Sequence, residues 1–133
     1  MLNYGIKMKR RKYYECKIYV GSVSFNRNEE FTQDQIELFC GQVQEGYEYT
    51  VPIRITPTTY ISDTSYNEKG WEIAAIDYPK LPYNHRQIRG WMRHLAEALI
   101  LKFKQHTICV VDTDHIIMLE NDSVLTTYKE RIV

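Results

Sequence analysis

The chain has 133 residues, one domain's worth, with 44% hydrophobic and 26% charged residues, close to ordinary globular usage. Lys+Arg and Asp+Glu stand at 17 each, which argues against a protein that coats DNA by bulk charge and against an acidic-tail protein. Three cysteines, Cys16, Cys40 and Cys109, are odd in number and form no CxxC pair, so they read as buried reduced thiols of a cytoplasmic protein.

The first twelve residues form an arm with five cations, Lys7, Lys9, Arg10, Arg11 and Lys12, and no apolar run that would make a signal peptide. No apolar run in the chain is long enough to span a bilayer. From Tyr13 to Ser24 the residues Tyr14, Cys16, Ile18 and Val20 alternate with Tyr13, Glu15, Lys17 and Tyr19, the period of a strand. Gly21 there allows a bulge or the close approach of another group. Thr32 and Gln35 have capping-box spacing, and Ile36, Phe39, Cys40 and Val43 then fall on one helical face, with Gly46 as the stop.

Tyr47–Thr56 alternates again and predicts a second strand ended by Pro57, with Pro52 pointing to an edge position. Thr58–Gly70 reads as a hairpin tip or loop from its Asp, Ser, Asn and Gly content. Trp71–Tyr78 predicts a third strand. Asn84 with Gln87 caps a second helix running to about Gln105, with Ile88, Trp91, Met92, Leu95, Leu99 and Phe103 as its apolar stripe. Thr107–Val111 and His115–Leu119 predict two more strands around a turn at Asp112–Asp114. Glu120–Val133 is a last strand or a docked arm.

The order predicts an α+β, ferredoxin-like βαββαβ domain: a mainly antiparallel sheet with two helices on one face. The arm covers 1–12, the single domain 13–119 and the C-terminal strand or arm 120–133. The second helix carries the most informative cluster. Arg86, Arg89 and Arg93 share one face of its first turns, where free backbone N–H groups and the helix dipole favour an anion. Tyr83, Asn84 and His85 stand just before them and suit a base or ribose. Gly90 inside this helix costs ~1 kcal/mol relative to alanine unless something packs close there. Arg93 and Glu97 also have the spacing of an i, i+4 ion pair.

Other chemistry has little support. There is no GxSxG, P-loop or GxGxxG, and the four histidines form no HxH or HExxH pattern. Asp112-Thr113-Asp114-His115 fits an ordinary turn, so no metal and no cofactor is expected.

The run ECKIYVG, the helix FTQDQIELFC, the strand GWEIAAIDY and the Arg-rich helix resemble, in element order over Tyr13–Val111, small phage anti-defence proteins of the Thoeris anti-defence type. The resemblance implies a sponge that sequesters a cyclic nucleotide signal, often at a subunit interface, with Tyr83, Asn84, Arg89 and Arg93 gripping it. The sequence expectation is therefore a non-enzymatic, homo-oligomeric cytoplasmic binder of a phosphate-bearing small molecule, a cyclic or ADP-ribose-type nucleotide, through Tyr83, Asn84, His85, Arg86, Arg89 and Arg93. If phage-encoded, it would act in the host cytoplasm. Two alternatives stay open: a protein-interaction module using a Tyr-rich sheet face (11 tyrosines), and a small nucleic-acid binder using the basic arm.

Overall fold

A computed structural model gives the fold, and describes residues 5–64 and 66–123. Strand β1 (Cys16–Gly21) leads to helix α1 (Gln33–Glu45), then strands β2 (Ile53–Asp63) and β3 (Tyr66–Ala75), helix α2 (His85–Lys102), and strands β4 (Thr107–Asp112) and β5 (Ile116–Glu120). The sheet order is β2-β3-β1-β4-β5, antiparallel at every junction. This is the ferredoxin-like arrangement, with β5 added outside β4. Among the described residues no helix is long and apolar enough to cross a membrane.

The period-two pattern of β1 becomes a two-faced strand. Tyr14, Cys16, Ile18 and Val20 are buried, and the residues between them face the open side of the sheet. Both helices cover the buried face. Ile36 and Cys40 of α1 join Ile88, Trp91, Met92, Leu95 and Leu99 of α2 in one core with β1, β3 and β4. Phe39 and Val43, expected in that core, pack against it only partly buried. Both capping boxes form: Thr32 with Gln35, and Asn84 with Gln87. Gly46 ends α1 in a right-handed conformation (φ −87°), so this stop does not exploit glycine's left-handed freedom.

Several boundaries differ from expectation; β3, for one, ends at Ala75 and not at Tyr78. Tyr47–Val51 is not strand. Its backbone is held by Gln44, whose Nε2 donates to the Tyr49 carbonyl (2.6 Å) and whose Oε1 accepts from Val51 N (3.2 Å), while the Tyr47 and Tyr49 rings lie against α2. Pro57 does not end β2, because β2 is an edge strand pairing only with β3, so a missing N–H on the outer side breaks no ladder bond. The polar stretch after Pro57 is then the two arms of a long β2–β3 hairpin. Its alternation is not hydrophobic because these arms extend past the core. Finally, α2 closes at Phe103, and Lys104 takes φ 51° to turn the chain into β4. The expected last strand in 124–133 lies outside the described residues.

Candidate functional site

The open face of the sheet meets two loops at the Gly21 end of β1. The segment after β1 supplies Ser24 and Phe25, and the segment after α2 supplies Gln105 and His106. Together with Tyr19, Gly21, Tyr60, Glu68 and Cys109 of the sheet, they line an open cavity of about 570 Å3. That is within the ~300–1,000 Å3 common for small-molecule sites. Arg27, turned by a φ of 62°, also lines it.

Two glycines create this space. A Cβ on Gly21 would stand 2.5 Å from Glu68 Oε1 and 3.2 Å from Gln105 Oε1, so the absence of a side chain lets both oxygens converge over β1. A Cβ on Gly70 would meet the Val20 carbonyl oxygen at 2.3 Å and the Tyr60 ring at 2.7 Å. The Tyr60 ring therefore lies down over Gly70. Its hydroxyl donates to the Trp71 carbonyl (3.0 Å), and its edge meets Tyr19, with ring centroids 6.2 Å apart. Burial pushes the Tyr60 phenol up to about 12, so it stays protonated at neutral pH. The cavity thus has aromatic walls, the Glu68 carboxylate, the Gln105 amide, the Arg27 guanidinium, the His106 imidazole and the Cys109 thiol.

The residues singled out in the sequence lie elsewhere, around the start of α2 at the opposite end of β1. Asn84 is used as the helix cap: its Oδ1 accepts from Gln87 N (2.8 Å). Tyr83 stacks on Tyr49 at 4.8 Å. His85 stacks on Tyr14 at 4.4 Å and faces Asp77 at 3.6 Å. Arg89 pairs with Asp112 at 2.9 Å, Arg93 pairs with Glu97 at 3.4 Å, and Arg86 is exposed. Gly90 is approached at 3.9 Å by the hydroxyls of Tyr47 and Tyr49, an ordinary contact within the same chain, so no outside group is needed to explain it.

This end of the molecule is a polar network. The Tyr14 hydroxyl donates to the same Asp112 oxygen (3.3 Å) that Arg89 reaches. Asp112 Oδ1 accepts from the N–H groups of Asp114 (2.8 Å) and His115 (2.7 Å), which makes the β4–β5 turn an Asx-type turn and leaves that carboxylate engaged in the fold. Burial alone would raise the Asp112 carboxyl, but these N–H donors and Arg89 outweigh it and hold it below the ordinary range. Arg11 pairs with Asp77 and approaches the carbonyls of Leu81 and Tyr83, both at 3.4 Å, so the basic arm is tied to the segment leading into α2.

No protein-family model matches the chain, and no curated protein matches it in sequence. Two solved structures share its fold. One is a phage SAM lyase in complex with S-methyl-5′-thioadenosine, the other a phage SAM lyase in the apo state. Each has a TM-score of 0.63 and 16% identity, covering 88% of this chain and 98% of that chain. The solved neighbours are thus phage proteins, as the resemblance in element order implied, but they are not sponges. The expectation of a non-enzymatic binder that leaves its ligand intact is corrected by this finding, since both of these neighbours are described as SAM lyases, which are enzymes. The absence of a catalytic signature had argued for passive binding, and that inference fails for any reaction in which the substrate carries its own reactive groups.

Proposed function

We propose that this protein is a lyase that cleaves SAM or a close sulfonium nucleoside, releasing S-methyl-5′-thioadenosine, in the cavity above Gly21. The observation that carries the reading is the likeness to the SAM lyase fold over nearly the whole of that chain. The cavity's size and lining support it.

The chemistry fits a site without a catalytic dyad. When the carbon–sulfur bond on the amino-acid side breaks, sulfur keeps the electron pair, and a sulfonium cation becomes a neutral thioether. The carboxylate of the substrate's own amino-acid chain attacks the carbon that sulfur leaves, closing a five-membered lactone. Atoms and charge then balance with no water and no proton from the protein. What the protein supplies is placement and surroundings. The Tyr19 and Tyr60 rings offer faces for the adenine. Glu68 brings a carboxylate to the cavity, across from the Arg27 guanidinium.

The test is incubation of the purified protein with SAM, followed by chromatography for S-methyl-5′-thioadenosine. Formation of that product at a rate proportional to protein, lowered at least about tenfold in Glu68→Gln, is the expected result, since a hydrogen bond to a charged group contributes ~1.5–3 kcal/mol. SAM recovered intact after prolonged incubation overturns the reading.

A further inference from the structure

Strand β5 returns two carboxylates to the start of β4. Thr107 pairs with Glu120 in the β4–β5 ladder, and Asn121 N donates to the His106 carbonyl (2.7 Å), so the pairing runs one step past β4. Glu120 and Asp122 thus flank the residue opposite His106. The His106 imidazole and the two carboxylates each bring one ligand atom to within 4.8 Å of the other two. Phe25 meets the imidazole edge-on, with ring centroids 5.4 Å apart.

His106 Nε2 is buried and has no hydrogen-bond partner among the described residues. It stands 3.7 Å from Asp122 Oδ1, beyond the ~2.7–3.2 Å of a hydrogen bond. Ligand atoms held ~2.0–2.2 Å from one tetrahedral ion stand roughly 3.4 Å from each other. The separation therefore suits two ligands of a shared cation better than a hydrogen-bonded pair. Asp122 can ligate through one oxygen and keep the other for a further bond. Glu120 and Asp122 are exposed, so modest rotamer changes complete the set and an ion can enter from solvent. The Asp112–His115 turn offers nothing comparable, because the Asp112 carboxylate is taken by two backbone N–H groups and Arg89.

We infer that His106, Glu120 and Asp122 form a site for a divalent transition-metal ion. Zn2+ suits one imidazole and two carboxylates, whereas Mg2+ and Ca2+ take oxygen ligands. Three protein ligands leave a position for water. The bound ion would fasten the end of β5 to the segment between α2 and β4. This inference is independent of the lyase reading and needs no SAM.

The test is calorimetric titration of the full chain with zinc chloride in a non-chelating buffer without SAM. One Zn2+ should bind per chain, at least about tenfold more weakly in His106→Ala and in Glu120→Gln. His115→Ala, which removes a lone imidazole 68% exposed, should bind as wild type does. Zinc should also raise the melting temperature of the wild type and not that of His106→Ala. Absence of binding with Zn2+ in excess overturns the inference. So does binding that neither His106→Ala nor Glu120→Gln weakens, or that His115→Ala weakens equally, which would mark scattered surface binding. If His106→Ala fails to fold, Glu120→Gln, at an exposed position, decides. Zinc binding by a protein that leaves SAM intact keeps the site and sinks the lyase reading, and SAM cleavage by a protein that binds no zinc does the reverse.

Discussion

Arg89 Nε donates to Asp112 Oδ2 at 2.9 Å, and this one bond fastens the first turns of α2 to the end of β4. Asp112 is 4% exposed in its side chain and Arg89 38%. Removing the arginine leaves a buried carboxylate with fewer partners, whereas removing Arg93, paired with Glu97 in the open at 59% exposure, removes little. Arg89→Ala should therefore destabilise the fold by ~1–3 kcal/mol, discounted toward the low end for solvent screening. Arg93→Ala should stay within ~0.5 kcal/mol. Chemical denaturation of the two variants checks this. Equal stability would show that the Arg89 pair contributes nothing.

The same carboxylate sets an acid dependence. Its folded pKa lies below its unfolded value of ~3.9, so its contribution to stability is present above that value and is lost as pH falls through the folded one. The melting temperature of the wild type should fall as pH drops below about 4. Asp112→Asn should melt lower at pH 7 and show a shallower acid slope. Parallel slopes in the two proteins would assign acid lability to other groups.

Thiol labelling separates core from cavity. Burial pushes Cys16 up to about 11 and Cys40 up to about 12, so neither forms thiolate at pH 8, and both are enclosed. Cys109 is half-buried and lines the cavity. A maleimide or iodoacetamide pulse on the native protein should modify Cys109 first. Saturating S-methyl-5′-thioadenosine should slow that reaction, read by intact-mass spectrometry. Unchanged labelling with bound ligand would place the ligand away from the Gly21 cavity.

Two core positions give contrasting failures. Leu95 is fully buried, and Leu95→Ala should cost ~2–5 kcal/mol by leaving a void. Gly70→Ala adds one methyl and should also destabilise, by ~1–3 kcal/mol, because the new Cβ meets the Val20 carbonyl, which cannot step aside without breaking the sheet. Pairing Gly70→Ala with Tyr60→Ala should recover only a minor part of that loss. Full recovery would show that the ring, not the backbone, sets the limit.

How much of this was legible in the residues follows from what makes a local pattern. Thr32 and Gln35, and Asn84 and Gln87, declare their helices because a capping box is a contact three residues long. The alternation of Tyr14, Cys16, Ile18 and Val20 declares β1 because one face alone is buried. The β2–β3 hairpin past Pro57 showed only as a tip or loop in its Asp, Ser, Asn and Gly content; the length of its arms was hidden, since they extend beyond the core and carry no such alternation. The cavity was hidden for a related reason. Tyr60, Glu68 and Gln105 are scattered in sequence and meet only through antiparallel pairing across Gly21 and Gly70. Gly21 alone gave a signal, as a strand glycine asking for a close neighbour. The arginines of α2 attracted notice because they are spaced on one face, yet periodic spacing is equally what an ion-paired, solvated helix shows.

The tie between Arg11 and Asp77 has a practical meaning. It secures the basic arm at the Cys16 end of β1, while the cavity opens at the Gly21 end, a strand of six residues away, roughly 20 Å. A surface linkage made through the N-terminal arm would bear on the end of β1 remote from the residues that line the cavity. Immobilised assays built that way should return the same affinities as free solution.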